Sequence, residues 1–116
     1  MEKLRRANLH VMAVTLDPVL TRFRVALDAA YGDRIERVVL FGSRARGDAR
    51  PDSDYDVAVF LRDIGGVGEE IARLVDLGDD ILMDTGAFIS AVALPEGAHR
   101  DRTGFMAEVR REGIDL

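Results

Sequence analysis

Two apolar runs, Ile35–Phe41 and Tyr55–Leu61, bracket a polar stretch that opens on Gly42-Ser43 and closes on Asp54, and this arrangement constrains the chain more than any other feature. Both runs, the first through Val38-Val39-Leu40-Phe41, read as buried strands. The stretch between them is rich in Gly, Asp, Ser and Arg and holds the turn pair Pro51-Asp52. A strand that runs straight into Gly-Ser can turn tightly, and the missing Cβ lets a phosphate approach the backbone. The amides of that turn, the Ser43 hydroxyl and the cationic Arg44 and Arg46 together suit a polyphosphate.

Asp54 and Asp56 stand at positions i and i+2 of the second strand. Alternation puts both on one face, roughly 6.6 Å apart along the strand, close enough to hold one or two hard cations. Tyr55, Val57 and Val59 point the other way, into the core. An aspartate between apolar neighbours is costly unless it has a task. Two carboxylates beside a phosphate-accepting turn are what metal-assisted nucleotidyl transfer needs, with Mg²⁺ neutralising the triphosphate and orienting the attacking oxygen.

Rival readings do less well. Gly42 to Gly47 has the glycine spacing of a Walker A loop, but Asp48-Ala49 stand where Lys-Ser/Thr is required. Asp52-Ser53-Asp54-Tyr55-Asp56 mimics the start of an EF-hand loop, yet Val57 replaces the glycine and a strand follows. An ordinary Asp-rich turn accounts for Asp54 alone, but not for Asp56 together with Gly42-Ser43.

The remainder supplies helices. A first helical segment carries Leu4, Val11, Val14 and Leu16; the stripe Leu4, Val11, Val14 reads first as core packing and second as a partner surface. Asp17 N-caps a second helix with Pro18 in its first turn, Leu20, Phe23, Leu27 and Ala30 on one stripe, and Gly32 at its end. A helix over about 67–83, a strand Ala87–Leu94 stopped by Pro95, a short helix around Arg102–Arg111 and a tail Glu112–Leu116 complete the order. This predicts an α/β (α+β) fold, a small mixed sheet packed with helices. Its 116 residues suit a single domain, residues 1–116, with a core over about 20–94.

The chain has 21 acidic against 16 basic side chains, a formal charge of −5, which argues against strong nucleic-acid binding. Cysteine is absent, so disulfides and thiolate metal sites are excluded. No apolar run approaches the roughly 20 residues that span a bilayer, and the expected setting is cytoplasmic. His10 and His99 are isolated and read as structural.

From Gly42 to Asp56 the sequence resembles the minimal nucleotidyltransferases of the DNA polymerase β superfamily, including antitoxins paired with HEPN-domain toxins. Their pattern is Gly-Ser, ten residues, then Asp-x-Asp, met here by Gly42-Ser43 and Asp54/Asp56. The resemblance implies the nucleotidyltransferase fold from about Leu20 to Leu94. It implies that Gly42 and Ser43 bind the triphosphate, with Arg44 and Arg46 assisting, and that Asp54 and Asp56 are the catalytic Mg²⁺ ligands. The implied substrate is an NTP, ATP in the first place. The implied acceptor is a hydroxyl on a partner protein such as a HEPN-type toxin, the chain acting as its antitoxin; association with further copies of itself stays open. Such families carry a third carboxylate on the next strand, where this chain has Ser90 as the only polar residue; Asp84 is a nearby acid at the end of the preceding helix. Two alternatives follow, a catalytically weakened nucleotide-binding module that neutralises a partner, and an aminoglycoside-like transferase with a small-molecule acceptor.

Overall fold

The computed structural model describes residues 2–116. Its elements are α1 (Glu2–Thr15), α2 (Pro18–Tyr31), β1 (Ile35–Phe41), α3 (Ser43–Arg46), β2 (Tyr55–Leu61), α4 (Val67–Thr85), β3 (Ile89–Pro95), α5 (Gly104–Glu112) and β4 (Ile114–Asp115). The sheet order is β3-β2-β1-β4. β2 runs antiparallel to β1 and parallel to β3, and β4 is antiparallel to β1, so the sheet is mixed.

Alternation along the strands gives the sheet two apolar faces. Val38, Leu40, Val57, Val59 and Leu61 pack under α2 and α4, against Phe23, Leu27, Leu74 and Ile81. Val39, Ala58 and Phe60 face the other way and are covered by Met106 and Val109 of α5. Asp17 caps α2 as expected, its carboxylate accepting from the Val19 amide at 2.9 Å. Among the described residues no helix is long and apolar enough to cross a membrane.

Tyr55 ties the two helical ends to the sheet. Its ring is buried, its hydroxyl donates to Asp17 Oδ2 at 2.8 Å, and the Arg44 guanidinium lies 4.0 Å from the ring centroid. Burial first, and the Asp17 carboxylate second, push the phenol up to about 12. The unfolded chain ionises this group near its ordinary value of 10.0 while the native state retains the proton. Stability present below pH 10 is therefore lost as pH rises from about 10 to about 12. In urea titrations, Tyr55→Phe costs about 1 kcal/mol at neutral pH and flattens that alkaline decline; an equally steep decline in the variant would contradict it.

Five features differ from the sequence expectations. The stripe Leu4, Val11, Val14 is not core: Val14 is 6% exposed, but Leu4 is 65% and Val11 43% exposed. α1 meets the rest of the molecule through its later turns, at His10 and Val14, and its first turns project. The helix expected to end near Met83 continues to Thr85, whose hydroxyl back-bonds to the Ile81 carbonyl at 2.6 Å. The third strand is Ile89–Pro95 rather than Ala87–Leu94, although Phe88 already accepts from the Tyr55 amide at 2.9 Å. The tail is not irregular: Ile114 and Asp115 pair with Leu40 and Val39. Thr103 N-caps α5, which runs Gly104–Glu112 rather than Arg102–Arg111.

Candidate active site

β1 delivers its last residue, Phe41, opposite Asp56 of β2, and the chain then turns at Gly42. Gly42 sits at φ 76°, ψ −160°, a region open essentially to glycine. A Cβ there would run into the Asp56 carboxylate, so that side chain lies directly against the Gly42 backbone. One residue type thus meets two demands, a left-handed turn and a close approach. Gly42→Ala should lose about 1–3 kcal/mol of stability through backbone strain. Its nucleotide affinity should fall about tenfold, the equivalent of about 1.4 kcal/mol. Chemical denaturation and nucleotide titration read the two effects, and a variant matching the parent in both would contradict this geometry.

Asp54 is exposed just before β2, and Asp56 is half-buried within it. The Asp56 carboxyl is held above the usual carboxylate range, chiefly by desolvation and next by the Asp54 charge; Arg46 opposes the shift and Glu112 adds to it. Asp54, Asp56, Arg46 and Glu112 therefore share one electrostatic field. A desolvated carboxylate with a second acid beside it is a state that a divalent cation relieves. Among the described residues no group of three or more His, Cys, Asp or Glu is placed to hold a metal ion. The candidate donors are the Asp54 and Asp56 carboxylates, a pair that suits a hard cation whose other ligands are phosphate oxygens and water.

The other sequence candidates divide sharply. Ser90 pairs in parallel register with Asp56. Its face continues through Val92 and Leu94, on the α5 side of the sheet, which is also the side of Asp56. Arg46 is at the site, donating from Nη1 to Glu112 Oε2 at 3.2 Å and from Nε to Asp48 Oδ2 at 3.2 Å.

Arg44 turns away: Nε donates to the Ser53 carbonyl at 3.0 Å, Nη2 to the Pro51 carbonyl at 3.1 Å, and the guanidinium covers Tyr55. Tyr55 belongs to the opposite face of the sheet, so Arg44 braces the 50–53 loop from behind rather than facing the carboxylates. Asp84 is not brought to the site either; on α4 it forms an ion pair with Arg22 of α2, Oδ2 to Nη2 at 2.8 Å. His10 shares a hydrogen bond with the Arg44 carbonyl at 2.9 Å, linking α1 to α3.

Sequence reasoning missed Glu112. Its Oε1 accepts from the Gly42 amide at 2.9 Å, which places a carboxylate on the turn itself. The one local signal was an acid at the C-terminal residue of α5. Negative charge there opposes the helix macrodipole, so a compensating partner is to be expected.

The family model described as Polymerase beta, Nucleotidyltransferase matches residues 29–116. A protein of Methanocaldococcus jannaschii named "putative protein adenylyltransferase" is 27% identical over 103 residues, 84% of this chain and 95% of its own length. The solved structure of a "putative nucleotidyltransferase" from Sulfolobus solfataricus is similar with a TM-score of 0.61 at 19% identity, over 94% of this chain and 84% of that one. A chain of a toxin–antitoxin crystallised with AMP-PNP is similar with a TM-score of 0.55 at 17% identity, over 80% of this chain and 68% of that one. At these identities the two structures bear on the fold alone.

Proposed function

Since the chain belongs to the polymerase β nucleotidyltransferase family, we infer that it moves a nucleoside monophosphate, AMP from ATP, onto a hydroxyl of a partner protein. The Gly42 amide, the Ser43 hydroxyl and the Arg46 guanidinium hold the triphosphate. Asp54 and Asp56 hold Mg²⁺, which when bound screens the phosphate charge and orients the reacting oxygens. The acceptor oxygen forms a bond to the α-phosphorus, the α–β phosphoanhydride bond breaks, and pyrophosphate leaves. The hydroxyl proton passes to solvent, because Ser90 offers no base at neutral pH.

The observation that carries this reading is the approach of the Asp56 carboxylate to the Gly42 backbone. It joins a metal ligand to a phosphate-accepting turn. The named relative supports adenylyl as the group and protein as the acceptor. From the resemblance of Gly42–Asp56 to the antitoxin motif, we take a HEPN-type toxin as the partner and antitoxin action as the role.

Incubation with α-labelled ATP, Mg²⁺ and the protein encoded beside it is the test. Label on that protein is the expected result; label on a small hydroxylated molecule instead would replace the acceptor class, and no label on anything would refute transfer. A second reading, neutralisation by binding alone, draws on Ser90, a hydroxyl rather than a carboxylate, pairing in register with Asp56. It predicts that an Asp54→Ala, Asp56→Ala double variant still neutralises the partner.

A further inference from the structure

Resting on the reading of Gly42-Ser43 as the phosphate turn, we propose that Glu112 is a built-in gate on the nucleotide site, its carboxylate occupying the donors a triphosphate needs. The contacts are specific. Oε1 accepts from the Gly42 amide at 2.9 Å, and Arg46 Nη1 donates to Oε2 at 3.2 Å and to Oε1 at 3.4 Å. The side chain is only 10% exposed, so it is seated in the turn rather than resting on its surface. A carboxylate presents two anionic oxygens much as a phosphate presents its non-bridging pair, and backbone amide plus guanidinium is a donor set that serves either.

The gate is a side-chain device, because the backbone that carries it is fixed. Thr103 caps α5 through the Met106 amide at 3.1 Å, and Val109 is fully buried under the sheet. Gly113, the next residue after Glu112, has no room for a Cβ between the Val109 carbonyl and the Val39 side chain. Ile114 then pairs with Leu40. Glu112 can leave the turn by rotating its own χ angles toward solvent, and little else moves. Departure does two things together: it frees the Gly42 amide and it releases the Arg46 guanidinium from its carboxylate partner. It also takes one negative charge away from Asp54 and Asp56 as the phosphates arrive. Nucleotide binding is therefore a displacement, one set of anionic oxygens replaced by another.

The test is calorimetric titration of the full chain with a non-hydrolysable ATP analogue and Mg²⁺, comparing the parent with Glu112→Gln and Glu112→Ala. Glu112→Gln keeps volume and an acceptor but loses the charge; Glu112→Ala empties the seat. Both should bind about tenfold tighter, with Glu112→Ala tighter still, since a charge-assisted contact no longer has to be broken first. Amide NMR of the nucleotide-free variants, which also reports that they are folded, should show the Gly42 resonance moved. Unchanged or weaker affinity in folded variants, beside a parent that binds, overturns the gate alone and makes Glu112 a support of the bound state. No binding by the parent or either variant overturns the gate and the phosphate reading together.

Discussion

Asp56→Asn should abolish Mg²⁺-dependent nucleotide binding and transfer while making the free protein more stable. The two effects have one cause. In the free chain Asp56 is partly desolvated against Gly42 and repelled by Asp54 and Glu112, which raises its carboxyl above the ordinary 3.8. The native state thus holds this proton more tightly than the unfolded chain does. Its contribution to stability falls as pH rises from 3.8 through the raised native value, and at neutral pH the ionised group opposes folding. Asparagine removes that opposition and, with it, a charge that no neighbour replaces. Transfer should fall by about 10²–10³ or more, the scale seen when a preorganised electrostatic group is lost. Asp54→Asn loses binding likewise but gains less stability, because it relieves only the repulsion on Asp56 and leaves its desolvation in place. Titration with Mg·ATP and urea denaturation between pH 4 and pH 8 check all of this. An Asp56→Asn protein that still binds Mg·ATP, or that is less stable than the parent at neutral pH, would refute the assignment.

The parts of this site that could be read from sequence are those fixed by short-range chemistry. Gly42-Ser43 follows an apolar run, Asp54 and Asp56 obey a two-residue period, and Asp17-Pro18 is a helix start; each needs only its neighbours. What escaped was set by pairing across the chain. β4 is two residues long and is a strand only because Leu40 and Val39 are there to bond it. Glu112 meets Gly42 across 70 positions of sequence, and nothing within its own helix names that partner. Arg44 shows the converse: its position beside Ser43 suits phosphate, but β2 presents the Tyr55 ring on the other face and the 50–53 carbonyls capture the guanidinium. The exposed stripe of α1 has the same origin, since periodicity marks an apolar face without saying whether anything in the chain covers it.

Ser90→Asp should convert a two-carboxylate site into a three-carboxylate one and raise both metal affinity and turnover. In the parallel register Ser90 is the partner of Asp56, one strand spacing of about 4.8 Å away on the same face. Glu112 cannot take this role from where it sits. Asp56 lies on β2, with Ser90 on the β3 side and the Gly42 turn of β1 on the other; Glu112 is seated at that turn. Glu112 is thus on the Gly42 flank of Asp56, and the β3 flank offers only the Ser90 hydroxyl. With an aspartate at position 90, Mg·ATP should bind about ten- to a hundredfold tighter, by the scale on which metal-site support acts. Transfer should rise about a hundredfold where the new carboxylate receives the acceptor's proton. In the absence of metal the same substitution adds a third like charge and should lower stability, most at neutral pH and least where the acids are protonated. A folded Ser90→Asp protein that binds Mg·ATP no better than the parent would show that position 90 does not face the metal. Combined with Glu112→Gln, the gains in nucleotide affinity should depart from additivity, because both positions act on the Asp56 carboxylate.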